Sequence, residues 1–133
     1  MRILIADDNA RVRQGITRIL ACRENWEVCG EAQDGEEAIE KSRDLLPDLI
    51  LLDISMPLLN GLDAARMLRQ VTSAKILIMS QHDSSVLAPR ALAAGADGSL
   101  DKARLSTDLI PAIASIFERS PVERRASPPG KNS

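Results

Sequence analysis

Short apolar runs alternate with longer amphipathic stretches along most of the chain, and this alternation constrains the fold more than any single motif. A strand covered on both faces has no polar side and reads as an unbroken apolar run. The amphipathic stretches between such runs are the helices that do the covering. Leu49-Ile50-Leu51-Leu52 is the clearest run and suits a central strand. Four more can be placed, at Arg2 to Ala6, Trp26 to Ala32, Lys75 to Ser80, and after Gly95 to about Asp101. Five β/α units of this kind predict a parallel sheet with helices on both faces.

The intervening segments carry helical spacing. Val12, Ile16, Ile19 and Leu20 fall on one face, with Asn9 as N-cap. A second helix runs from about Gly35 to Leu45, opening after Asp34 and stopping before Pro47. A third follows Met56-Pro57 and Asn60-Gly61 and passes through Leu62, Ala65 and Leu68. The fourth, about Ser84 to Ala94, contains Pro89, which predicts a kink or a start near Ala88. Gly95 ends it. The last is marked by Leu105, Leu109, Ile110, Ile113, Ile116 and Phe117, and Pro111 inside it predicts a kink or a late start. From Ser120 onward there is little to bury and several helix breakers, so residues 1–119 are expected to form the domain. Residues 120–133 would be a disordered tail or the start of an interdomain linker.

Composition narrows the function classes. A chain of 133 residues forms one ordinary domain that buries roughly two-thirds of its unfolded surface. Trp26 and Phe117 are its only aromatic residues, so the core must be aliphatic. A net charge of −2 supplies no positive field for direct nucleic-acid binding. No apolar run approaches the ~20 residues of a membrane span, and Met1-Arg2 leads straight into a strand-like run, so a cytoplasmic location without membrane contact is expected. Cys22 and Cys29, with His82 as the only histidine, lack the spacing of a zinc site and read as reduced, structural thiols.

In an open parallel sheet, ligands bind beyond the carboxyl ends of the strands. The first strand ends in Asp7-Asp8, the third in Asp53, the fourth in Ser80, and the fifth just before Lys102. Three crowded carboxylates repel one another unless a hard cation joins them, and an all-oxygen set with open positions suits Mg²⁺. Such an ion neutralises charge on a transferring phosphoryl group, Lys102 adds a second positive charge, and the Ser80 hydroxyl is able to donate to a phosphoryl oxygen. Taken singly, each has a plainer reading: adjacent aspartates after a strand are commonly a turn, and a lone lysine is commonly solvated.

The ordered set Asp7-Asp8, Leu52-Asp53-Ile54-Ser55-Met56-Pro57 with Gly61, Ser80, and Gly95 to Lys102 resembles bacterial two-component response-regulator receiver domains over about Met1 to Arg119. The resemblance implies a doubly wound, flavodoxin-like α/β fold of five parallel strands in the order 2-1-3-4-5, flanked by five helices. It implies that Asp53 is the phosphoacceptor, that Asp7, Asp8, Asp53 and the Ser55 carbonyl hold Mg²⁺, and that Ser80 and Lys102 contact the phosphoryl group. A histidine kinase would be the donor. Ser80-Gln81-His82-Asp83, and Lys102 without a following proline, look like the branch with a LuxR-type helix-turn-helix output domain, so transcription would be regulated through an attached or partner domain outside this chain. A homodimer through the first or last helix is compatible with the sequence.

Several positions depart from the family. Ser99 stands where a Tyr or Phe is usual, which puts the coupling of the switch to its output face in question. Ala103 replaces a common proline after the lysine, which predicts a trans peptide bond. Gln81 would narrow access to Asp53. Ser55 and His82 occupy positions that tune the lifetime of the acyl phosphate in the family, and a solvated loop histidine is the plainer reading of His82. Two rivals follow. An Asp-nucleophile phosphohydrolase would need a carboxylate where Ser55 stands, so the chain is read as a phosphoacceptor switch and not an enzyme. The other is a receiver-like interaction module that signals without phosphorylation. No Gly-x-Gly-x-x-Gly or P-loop spacing follows the first strand to favour a nucleotide-binding enzyme.

Overall fold

The computed structural model describes residues 1–81 and 84–125. Five strands, β1 (Arg2–Ala6), β2 (Glu27–Ala32), β3 (Leu49–Asp53), β4 (Lys75–Ser80) and β5 (Gly98–Asp101), form one sheet in the order β2-β1-β3-β4-β5. Every neighbouring pair is parallel. The helices are α1 (Ala10–Leu20), α2 (Gly35–Leu45), α3 (Gly61–Val71), α4 (Ser84–Ala93) and α5 (Leu105–Arg125), with a 3₁₀ turn at Lys102–Arg104 leading into α5. The expected fold class and strand order are both realised.

Period-two alternation splits the central strands between two cores. Ile3, Ile5, Leu49, Leu51, Leu77 and Met79 point to one face and pack with Ile16 and Leu20 of α1 and Leu109, Ile113 and Ile116 of α5. Leu4, Ala6, Ile50, Leu52, Ile76 and Ile78 point to the other, under Ala38 and Ile39 of α2, Leu62, Ala65 and Leu68 of α3, and Ala91 of α4. Each fully buried Leu or Ile contributes about 1.5–3 kcal/mol relative to exposure, so β3, buried along its whole length, is the anchor of both layers.

Caps fix where the helices start and stop. The Asn9 side chain accepts from the Arg11 and Val12 N–H groups, as expected, and Asp34 and Asn60 do the same for α2 and α3. α4 ends in a Schellman motif, with the Ala96 N–H donating to the Ala91 carbonyl and the Gly95 N–H to the Leu92 carbonyl. Gly95 has φ +98, which a side chain would strain.

Four expectations shift in detail. β2 begins at Glu27, because the Trp26 N–H is used in a turn to the Arg23 carbonyl. α4 spans Ser84–Ala93 with Pro89 inside, and does not wait for Ala88. Pro89 is exposed, so water can take the place of the donor it lacks, while Ala91 and Ala94 remain buried. α5 starts at Leu105 and runs through Pro111 without a late start, since burying Leu109, Ile113 and Ile116 outweighs the ~3 kcal/mol cost of one interior proline. It also continues past Ser120 to Arg125, where extending a formed helix costs far less than nucleating one. Among the described residues no helix is long and apolar enough to cross a membrane.

Candidate functional site

The polar residues singled out from the sequence meet at the carboxyl edge of the sheet. Asp53 is the last residue of β3 and Ser80 the last of β4, Asp7 and Asp8 follow β1 directly, and Lys102 follows β5. Register enforces the convergence: Ala6 pairs with Leu52, Asp53 with Met79, and Ser80 with Asp101. A β-carbon on Gly61 would lie 2.4 Å from the Asp53 carbonyl oxygen, so only glycine lets the start of α3 close against β3.

One carboxylate oxygen from each of Asp7, Asp8 and Asp53 lies within 4.8 Å of the others. Asp7 and Asp53 are buried, at 0% and 2% exposure, while Asp8 faces solvent. Lys102 Nζ sits 2.7 Å from Asp7 Oδ2 and 3.3 Å from Asp53 Oδ1. Burial pushes the Asp53 carboxyl above its usual range and the Asp7 charge adds to this, offset in part by the Ser55 N–H and the Lys102 ammonium. Burial alone would lower Lys102, but attraction from Asp7 and Asp53 overrides it and holds the ammonium charged.

The residues fit a hard divalent cation. Asp7 Oδ1 accepts the Asn9 N–H at 2.8 Å, and buried Oδ2 is paired with the Lys102 ammonium at 2.7 Å, which leaves each oxygen a second lone pair for a cation. With the exposed Asp8 carboxylate and the destabilised Asp53 carboxylate, this makes an all-oxygen set that one lysine only partly neutralises.

Around this centre the other expected residues are placed unevenly. Ser55 is exposed, and its N–H donates to Asp53 Oδ1 at 3.2 Å. Ser80 is buried, at 4% exposure. Ser99 pairs with Ile78 and, by alternation, lies on the sheet face opposite buried Leu100. Gln81 is exposed and lines a groove of about 470 Å³ with Lys102, Ala103 and α1. No cis peptide bond occurs among the described residues, so Lys102–Ala103 is trans as expected. His82 lies outside the described residues.

Two residues escaped the sequence reading. Leu58, with φ +69, is the centre of a γ-turn closed by the Leu59 N–H and the Pro57 carbonyl at 2.8 Å, and it is 76% exposed. Arg13 reaches back from α1 to the Asp7 carbonyl. A leucine at positive φ has no sequence signature. An arginine one turn into a helix resembles every solvated one.

An all-parallel sheet in this order, with an acidic trio and a lysine at its carboxyl edge, defines a receiver-type domain. The chain belongs to the response regulator receiver domain family, whose pattern matches residues 3–114. It is 37% identical over 118 residues to the response regulator GacA of Pseudomonas viridiflava, covering 88% of this chain and 55% of that protein. The chain thus spans about half the length of the curated relatives it matches. Among solved structures, a LuxR-family two-component response regulator from Aurantimonas sp. SI85-9A1 superposes with a TM-score of 0.83 at 36% identity, covering 88% of this chain and 84% of that one. These relatives support the LuxR-type branch. A chain of the CheX–CheY–BeF3–Mg²⁺ complex from Borrelia burgdorferi superposes with a TM-score of 0.75 at 26% identity, covering 88% and 89%.

Proposed function

We propose that this receiver is a phosphorylation-dependent switch in which Asp53 accepts a phosphoryl group from the phosphohistidine of a histidine kinase. The observation that carries this reading is the convergence of Asp7, Asp8 and Asp53 within 4.8 Å beneath the Lys102 ammonium. An Asp53 oxygen attacks phosphorus in line as the donor's nitrogen–phosphorus bond breaks. Lys102 Nζ, already beside Asp53, holds one of the phosphoryl oxygens, and the Ser80 hydroxyl on the adjacent strand end donates to another. Asp7, Asp8, Asp53 and the Ser55 carbonyl would hold Mg²⁺, which when bound would neutralise charge on the transferring group. That a similar chain was solved in a complex with Mg²⁺ supports a divalent cation in this fold.

The same reading keeps the chain a phosphoacceptor and not an enzyme acting on external substrates, since Ser55 offers no acid/base carboxylate. The curated relatives extend to about twice the matched length and include a transcriptional regulatory protein, which supports a DNA-binding output domain beyond residues 120–133; the kinase would be met in the cytoplasm. Residues 1–119 form the receiver in this proposal. Ser55 and His82 set the phosphate lifetime, which His82→Ala would alter if the imidazole takes part. Incubation with Mg²⁺ and a small phosphodonor should add one phosphoryl mass to the chain. The adduct should vanish in Asp53→Ala and without Mg²⁺. An Asp53 that stays unmodified would support signalling without phosphorylation, a reading favoured by Ser99 in place of the usual ring.

A further inference from the structure

The two metal-facing aspartates are adjacent in sequence yet differ in environment, and the turn that carries them is held by a residue outside the site. Asp7 anchors its N–H on the Ala32 carbonyl at 3.0 Å. Its own carbonyl accepts Arg13 Nη1 at 2.6 Å, while Arg13 Nε bonds Glu31 Oε1, also at 2.6 Å. The Arg13 side chain is 13% exposed, while Glu31 at the other end of the pair is 47% exposed. The Arg13 main-chain N–H closes the first turn of α1 on the Asn9 carbonyl at 3.1 Å. One residue therefore pins both ends of the Asp7-Asp8-Asn9 turn.

The Asp7 carbonyl and the Asp8 N–H share one rigid peptide plane, so holding that oxygen restrains the plane that ends at the Asp8 α-carbon, from which its side chain departs. Asp8 is the exposed member of the trio and has the least packing to orient it. We propose that Arg13, braced by Glu31, is a positioning residue that aims Asp8 at the cation shared with Asp7 and Asp53. It acts through main-chain geometry, and its charge opposes its effect. A guanidinium near a cation site repels the cation, so its removal by charge alone would tighten Mg²⁺ binding.

This opposition of sign makes the test decisive, and the inference rests on the metal site proposed above. Mg²⁺ is titrated into the full chain by calorimetry, with circular dichroism checking that each variant is folded. Arg13→Ala should weaken Mg²⁺ binding by about tenfold or more, the range seen when an outer partner of a metal ligand is lost. Arg13→Met, which keeps the apolar stem and most of the packing, should do the same if the alanine variant does not fold. Arg13→Lys should recover part of the affinity, since an ammonium can reach the Asp7 carbonyl without bridging to Glu31. Phosphorylation rates of Arg13→Met should approach those of the parent chain at saturating Mg²⁺. Unchanged or tighter Mg²⁺ binding in folded Arg13→Met overturns this inference alone. Mg²⁺ binding that survives Asp8→Ala places the ion elsewhere and overturns the proposed metal site with it.

Discussion

Asp53 and Lys102 carry opposite consequences for stability although they touch. The Asp53 carboxyl is raised above its unfolded value, chiefly by burial and then by Asp7, so the fold favours its protonated form. The stability it contributes is present below the unfolded value near ~3.9 and is lost as pH rises from there through the raised folded value. At neutral pH without metal, Asp53→Asn should therefore raise the melting temperature, with the gain shrinking toward acid. Melting curves with a chelator across this range check it, and an equal or lower melting temperature at neutral pH counts against it. Lys102→Ala should do the reverse, leaving fully buried Asp7 without its cation at a cost of about 3–5 kcal/mol, part of which added Mg²⁺ restores. Denaturant titration with and without Mg²⁺ measures both changes. Cys22 is exposed and Cys29 half-buried, and burial pushes the Cys29 thiol up.

The loop between β3 and α3 is the element in which site and fold are most closely tied. The Ile54 N–H donates to the Met79 carbonyl and the Gly61 N–H to the Ile54 carbonyl, so the loop leaves and rejoins the sheet beside Asp53. Within it, Leu58 is held at φ +69 with most of its side chain in water. A left-handed conformation costs a β-carbon-bearing residue about 1–2 kcal/mol, so Leu58→Gly should stabilise the domain by about 1 kcal/mol after the entropy of the more flexible unfolded chain is counted. Chemical denaturation tests it, and a loss of stability would mean that the exposed leucine makes a compensating contact. Gly61→Ala should move the other way, by about 1–3 kcal/mol, because the added carbon meets main chain, which yields less than a side chain end. Glycine at 61 and the apolar run of β3 were legible as loop and strand. The γ-turn was not, because nothing local distinguishes Leu58 from a leucine in an ordinary extended loop.

At the scale of the whole molecule, the two cores close before the chain ends. Among the described residues Ile116 is the last buried one, and the family pattern stops at residue 114. Ending the chain after Arg119 should leave the unfolding free energy within about 1 kcal/mol of the parent. A larger loss in denaturant melts would assign residues 120–133 a packing role. The strand and helix periods determined the layers, the cap residues, and the meeting of Asp7, Asp8, Asp53, Ser80 and Lys102 at one edge, because strand ends in a parallel sheet share an edge by construction. Tertiary structure alone decided that α4 and α5 run through their prolines, since local propensity does not register the burial that outweighs a missing hydrogen bond. It alone also placed Arg13 on the Asp7 carbonyl and buried Asp7 while leaving Asp8 in solvent. Those distinctions depend on what the next layer brings within a few ångströms, and sequence spacing does not encode that distance.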